Sequence, residues 1–121
     1  MKEKNKEKEP FEKYLLCTEA ALNKKAIDLV ILDVKNYCSF TDYFIICSGK
    51  SDRQVRGISQ YIEEELKKRK VFSLGIEGIS EGKWVLMDYN DVVIHIFYAP
   101  VREYYDLESL WSDAKRVPYK D

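Results

Sequence analysis

Apolar residues recur along this chain with two different periods, and the points where the period changes divide it into elements. Phe11, Tyr14, Leu15, Thr18, Ala21 and Leu22 fall three or four apart, which predicts an amphipathic helix over about 10 to 24. Ile27 to Val34 (I-D-L-V-I-L-D-V) is a β-branched and aliphatic run of strand length, as expected of a strand buried on both faces. Lys35 to Asp42 is polar and reads as a connection, and Tyr43 to Cys47 is a second apolar strand closed by Ser48-Gly49. Ser51-Asp52-Arg53-Gln54 fits a capping box, in which the serine hydroxyl accepts a free N–H of the first turn and the glutamine reaches back. Asp52 suits the positive end of the helix dipole. Val55, Ile58, Ile62 and Leu66 then form one apolar stripe, with Glu63, Glu64, Lys67 and Lys68 toward solvent.

The second half is strand-rich. Val71 to Ile76 reads as a short strand, and Gly75, Gly78 and Gly82 punctuate the region around and after it. Trp84 to Tyr89 and Val92 to Tyr98 are strands separated by Asn90-Asp91, and Asn tolerates the positive φ of a tight hairpin. Beyond Pro100 a helix is expected through about Ala114, with Tyr105, Leu107, Leu110 and Trp111 as its apolar positions. Strands separated by helices and followed by a hairpin predict a single α/β domain, a mixed sheet of about five strands flanked by helices. The link between the first two strands is too short for a crossover helix and predicts an antiparallel pair, whereas the next link carries a full helix, as a parallel crossover does. The domain is expected over 10–115, between a charged, flexible N-terminus (1–9) and a C-terminal tail (116–121).

Composition narrows the function. With 45% hydrophobic residues in 121, the chain is not disordered as a whole and has enough length for one core. No apolar run approaches the roughly 20 residues that span a bilayer. Met1 to Glu9 alternates Lys and Glu without the apolar centre of a signal peptide, so a cytoplasmic protein is expected. The cysteines (Cys17, Cys38, Cys47) are odd in number and form no C-x-x-C pair, which predicts reduced thiols. His95 is the single histidine and lies in the strand run Val92 to Phe97, which fits a hydrogen-bonded interior residue better than a catalytic one.

Gly49-Lys50-Ser51 imitates the end of a P-loop, but the glycine needed five positions earlier is Phe44, inside a strand. A nucleotidyltransferase would hold its metals with two acids at i and i+2 on one strand face. Glu77 has no such partner, Asp88 and Asp91 stand three apart across a turn, and Asp33 and Asp42 stand alone.

What remains is a surface suited to binding. Trp84, Met87, Tyr89, Tyr98, Tyr104, Tyr105 and Trp111 crowd one stretch, and such aromatics are enriched at interface hot spots. From Trp84 to Asp113 the acids are Asp88, Asp91, Glu103, Asp106, Glu108 and Asp113, with Arg102 as the only fixed positive charge. That stretch repels nucleic acid and attracts a basic protein, and a net charge of −1 argues the same way against DNA or RNA binding as the main activity.

Several segments together resemble the ribosomal silencing factor (Iojap-related) family. They are Thr41 to Ile46 (T-D-Y-F-I-I), Ser48 to Val55 (S-G-K-S-D-R-Q-V), Glu77-Gly78, Gly82 to His95 (G-K-W-V-L-M-D-Y-N-D-V-V-I-H) and Arg102 to Trp111 (R-E-Y-Y-D-L-E-S-L-W). The likeness covers roughly 11 to 114, in order and with matching spacing. It departs at Asn90, where the family usually has glycine, and Asn is expected to keep the turn. The resemblance implies a nucleotidyltransferase-like fold without transferase activity, metal site or cofactor. It further implies binding to the large ribosomal subunit through ribosomal protein uL-fourteen, which blocks joining of the small subunit and represses translation. A role in large-subunit assembly is the alternative, and a nucleotidyltransferase-like enzyme a weaker one. The partner contact is expected on Trp84, Met87, Asp88, Tyr89 and Asp91, with Tyr104, Tyr105, Asp106 and Trp111 in support. The exposed aromatic hairpin also allows a homodimer of the free protein.

Overall fold

The computed structural model describes residues 12–120, and the expected charged segment 1–9 lies outside them. Its elements run α1 (Lys13–Asn23), β1 (Ile27–Asp33), β2 (Tyr43–Gly49), α2 (Asp52–Lys68), β3 (Gly75–Glu77), β4 (Trp84–Asp88), β5 (Val92–Tyr98), α3 (Ala99–Tyr105), α4 (Leu107–Leu110) and β6 (Lys115–Arg116). The strands form one sheet in the order β3-β4-β5-β2-β1-β6. β1 and β2 pair antiparallel, as the short link requires. β2 lies parallel to β5, and two antiparallel pairings further on bring β3 into the direction of β2, so the α2 crossover does join parallel strands, though not neighbours.

The sixth strand was not expected. Lys115 and Arg116 pair with Asp33 and Leu32 at the edge of β1, inside the boundary between the expected domain and its tail. The Val117 N–H donates to the Ile31 carbonyl at 2.9 Å, and the Tyr119 hydroxyl donates to that of Leu29 at 2.6 Å. Two charged residues carry no hydrophobic period, so only the pairing reveals them, and charge on an edge strand discourages pairing with other chains.

Strand alternation sorts the core into two layers. On one face Ile31, Ile45, Val85, Met87, Ile94 and Ile96 pack against Cys17, Ala20 and Ala21 of α1 and the Val55, Ile58, Ile62, Leu66 stripe of α2. On the other, Leu32, Phe44, Ile46, Val93 and Phe97 meet a thinner cover of partly buried Val101, Leu107, Trp111 and Ala114.

Helix ends explain the local differences from expectation. Ser51 caps α2 by accepting the Gln54 N–H at 3.0 Å, while the Gln54 side chain reaches one residue further back, accepting the Lys50 N–H at 2.6 Å. Both long helices end in Schellman turns with lysine where glycine is usual. Lys25 (φ 63°) precedes the Ala26 to Ala21 bond, and Lys70 (φ 63°) the Val71 to Leu66 bond. That second turn draws Val71 onto the core and leaves β3 shorter than the expected 71–76. The single helix expected after Pro100 breaks at Asp106, whose left-handed backbone (φ 48°, ψ 50°) divides α3 from α4. Asn90 adopts φ 76°, as the hairpin demands.

Candidate docking face

β4 decides which expected contact residues reach solvent. Its alternation sends Trp84, Leu86 and Asp88 to the thinly covered face and Val85 and Met87 to the helical layer. Across the strands, Leu86 stands opposite Glu77 of β3 and His95 of β5, and Trp84 stands opposite Phe97. The Trp84 ring lies 4.8 Å from Phe97 and 5.0 Å from Tyr105, and Phe44 stacks edge-on with Trp111 at 4.9 Å. α3 and α4 contribute no buried residue, so they cover this face only in part. Phe40 (67% exposed), Tyr104 (82%) and Leu110 (76%) remain in solvent around it.

Trp84, Asp88, Tyr104, Tyr105 and Trp111 are therefore brought to one side of the sheet, with Asp106 exposed at the corner between α3 and α4. Met87 and Tyr89 are not. Both are buried against the helices, Met87 because odd-numbered positions of β4 face inward and Tyr89 just beyond the strand on the same side, and neither offers a surface contact. Asp91 also needs correction. Its carboxylate lies 2.6 Å from Lys13 Nζ, which also donates to the Tyr89 carbonyl at 3.0 Å. The hairpin is thus not without a cation: α1 supplies one that sequence proximity could not show, and Asp91 ties the hairpin to α1. Asp88 has no cation among the described residues, and its Oδ1 accepts the Asn90 N–H at 2.9 Å, leaving the carboxylate charge on the docking face. Leu86, Glu77 and Phe40 belong to this surface and were missed, although alternation from Trp84 already placed Leu86 beside Asp88.

His95 lies under the aromatic layer. Its Nδ1 accepts the Trp84 indole N–H at 3.1 Å, which fixes the ring neutral with the proton on Nε2. Nε2 is buried without a hydrogen-bond partner among the described residues, and burial pushes the pKa down to about 4. Cys17 and Cys47 are buried and pushed up to about 12, which keeps them as thiols.

Beyond the carboxyl ends of β2 and β5, where α/β sheets commonly hold ligands, an open crevice of about 730 Å³ includes Asp28, Ser48, Arg102 and Glu108. Its cation is already engaged: the Arg102 guanidinium donates to both Glu108 oxygens (2.8 and 3.2 Å) and to Ser48 Oγ (3.0 Å). That pairing holds the Glu108 carboxyl below the usual range. Among the described residues no three His, Cys, Asp or Glu side chains are grouped to hold a metal ion, and no helix is long and apolar enough to cross a membrane.

Known proteins are similar to this chain in sequence and in fold. A profile of the family described as "Ribosomal silencing factor during starvation" matches residues 7–121. The Ribosomal silencing factor RsfS of Bacillus subtilis is 39% identical over 99 residues, covering 82% of this chain and 84% of its own. A mouse protein, "Mitochondrial assembly of ribosomal large subunit protein 1", is 34% identical over 74% of this chain and 40% of its own length. A crystal structure of a Chromobacterium violaceum protein superposes with a TM-score of 0.83 at 34% identity, covering 94% of each chain.

Proposed function

Because this chain belongs to the ribosomal silencing factor family, we propose that it docks on the large ribosomal subunit through ribosomal protein uL-fourteen and represses translation by blocking small-subunit joining. The observation that carries this reading is the half-covered sheet face, where Trp84, Leu86 and Asp88 share one side of β4, Phe40 lies exposed beside Phe44, and the Asp88 carboxylate has no cation among the described residues. Half-buried aromatics and an unpaired carboxylate fit a basic protein better than an RNA groove: the rings supply area at low entropic cost, and the charge supplies orientation. Catalysis has no part in this reading, since the crevice arginine is ion-paired and, among the described residues, no acid pair stands at i and i+2 on a strand. The contact set is Trp84, Leu86 and Asp88, supported by Tyr104, Tyr105, Asp106 and Trp111.

Sedimentation of the purified protein with large subunits, small subunits and joined ribosomes tests the proposal. Binding to large subunits alone is expected, and equal binding to joined ribosomes refutes steric occlusion. The second reading, a factor for large-subunit assembly, draws on the name of the mouse relative. It is favoured instead if the protein associates with incomplete large-subunit particles and leaves subunit joining unaffected.

A further inference from the structure

Among the described residues, some cations of this protein are paired with acids and others are not, and four of the unpaired ones are held together. Lys13, Lys35, Arg56, Lys67, Lys68 and Arg102 each sit on a carboxylate. Lys24, Lys25, Lys50 and Arg53 are exposed and, among the described residues, pair with none; the same holds for Arg69, Lys70, Lys83, Lys115, Arg116 and Lys120, but no side chain draws those six together. These four are gathered by Gln54, whose amide donates to the carbonyls of Lys24 and Lys25 at 3.4 and 3.1 Å and accepts the Lys50 N–H. The backbone that carries them is thus fixed. The Schellman turn holds Lys24 and Lys25, the capped start of α2 holds Lys50 and Arg53, and one side chain links the two. Asp52, the acid within this group, is 3.7 Å from Arg56 and partly neutralised. Lys24 additionally lies over the Tyr61 ring.

The position of the cluster matters as much as its charge. β2 begins beside the β4–β5 hairpin and ends at Gly49, next to Lys50. Its seven residues separate the cluster from the hairpin by roughly 20 Å at about 3.3 Å each. The molecule therefore carries an acidic, aromatic region around Asp88 and a fixed basic corner at the far end of the same strand. One basic partner surface cannot complement both. Among the described residues no large apolar side chain is exposed at the corner, which argues against insertion into a lipid surface, and unpaired cations held at fixed spacing are what a phosphodiester chain selects.

We infer that the Lys24, Lys25, Lys50 and Arg53 corner is a second contact surface that binds the phosphate backbone of ribosomal RNA, independently of base sequence. Only its choice of the ribosome as target rests on the docking reading above. In this arrangement the aromatic face selects the protein partner, and the corner sets orientation and adds salt-sensitive affinity.

The test compares the full chain with Lys24→Gln/Lys50→Gln/Arg53→Gln, measuring affinity for purified large subunits over a range of KCl and, separately, for isolated uL-fourteen. Each lost phosphate contact should flatten the slope of log affinity against log salt by about 0.7–0.9. The triple variant should lose roughly 2 of slope and bind subunits about a hundredfold more weakly near 0.1 M salt. Binding to the isolated protein should stay at the parental value. Parental slope and affinity on subunits overturn the inference. So does an equal loss on the isolated protein, which assigns the corner to protein contact. If the parent ignores the isolated protein yet its subunit binding keeps a slope that the variant loses, the docking reading fails and this one stands. Should the triple variant melt early, Lys50→Gln with Arg53→Gln reads the same change at about two-thirds of the size.

Discussion

Replacing His95 with asparagine should remove most of the acid sensitivity that this one side chain gives the fold. The ring is almost fully buried between Trp84, Phe44 and Phe97, and its Nδ1 already accepts the indole N–H. A proton added at Nδ1 would break that bond and bury a cation with no carboxylate hydrogen-bonded to it. The folded pKa is accordingly about 4, against 6.5 for a free imidazole. The folded value is the lower one, so between pH 6.5 and 4 the unfolded chain binds a proton that the folded chain excludes. Stability from this group is complete above pH 6.5, falls as pH drops toward 4, and levels off below. At about 1.4 kcal/mol per pH unit, the loss amounts to about 3 kcal/mol, a large part of a typical 5–15 kcal/mol. His95→Asn offers Trp84 an acceptor near the Nδ1 position and cannot titrate. Urea unfolding of parent and variant at pH 7, 6, 5 and 4 isolates the effect, since carboxylates such as Glu108 titrate alike in both. The parent should lose about 3 kcal/mol more than the variant across that range. Parallel curves would show that His95 is protonated in the folded state, and would refute both its burial and its neutral hydrogen bond to Trp84.

Three further perturbations address the docking face and its supports. Asp88→Lys places like charge against a basic partner and should weaken large-subunit binding at least tenfold, while loss of the bond to Asn90 costs about 1 kcal/mol in the thermal melt; parental affinity in pull-down titrations would remove Asp88 from the interface. Arg102→Met strands Glu108 and Ser48 and should cost about 2 kcal/mol in urea unfolding, with faster amide exchange confined to 99–114; unchanged exchange there would mean the ion pair does not hold α3 and α4. At pH 8 a thiol with a pKa of about 12 is ionised in only about one molecule in ten thousand. Iodoacetamide should therefore label Cys38 alone in the native protein and all three cysteines in denaturant, as read by mass spectrometry; native labelling of Cys17 or Cys47 would contradict their burial.

The hydrophobic periods alone determined the layer structure. The Val55, Ile58, Ile62, Leu66 stripe and the runs at 27–34, 43–47 and 92–98 are long enough for burial to dominate local preference, and each became the predicted helix or strand. Asn90 and Ser51 were legible for a second reason, since a turn and a helix start each have few chemical solutions. Family membership was legible in the motifs from Thr41 to Trp111. Tertiary structure decided what depends on a neighbour distant in the chain. Lys115 and Arg116 became a strand because β1 offered an open edge. Asp91 lost its freedom to Lys13, 78 residues away. Met87 and Tyr89 turned inward because the α1–α2 layer fixed which face of β4 is buried, and an alternating strand states its two faces without stating which one meets the core. The basic corner emerged the same way: Lys24, Lys25, Lys50 and Arg53 are unremarkable surface charges in the sequence, and only the bonds of Gln54 to both segments make them one surface.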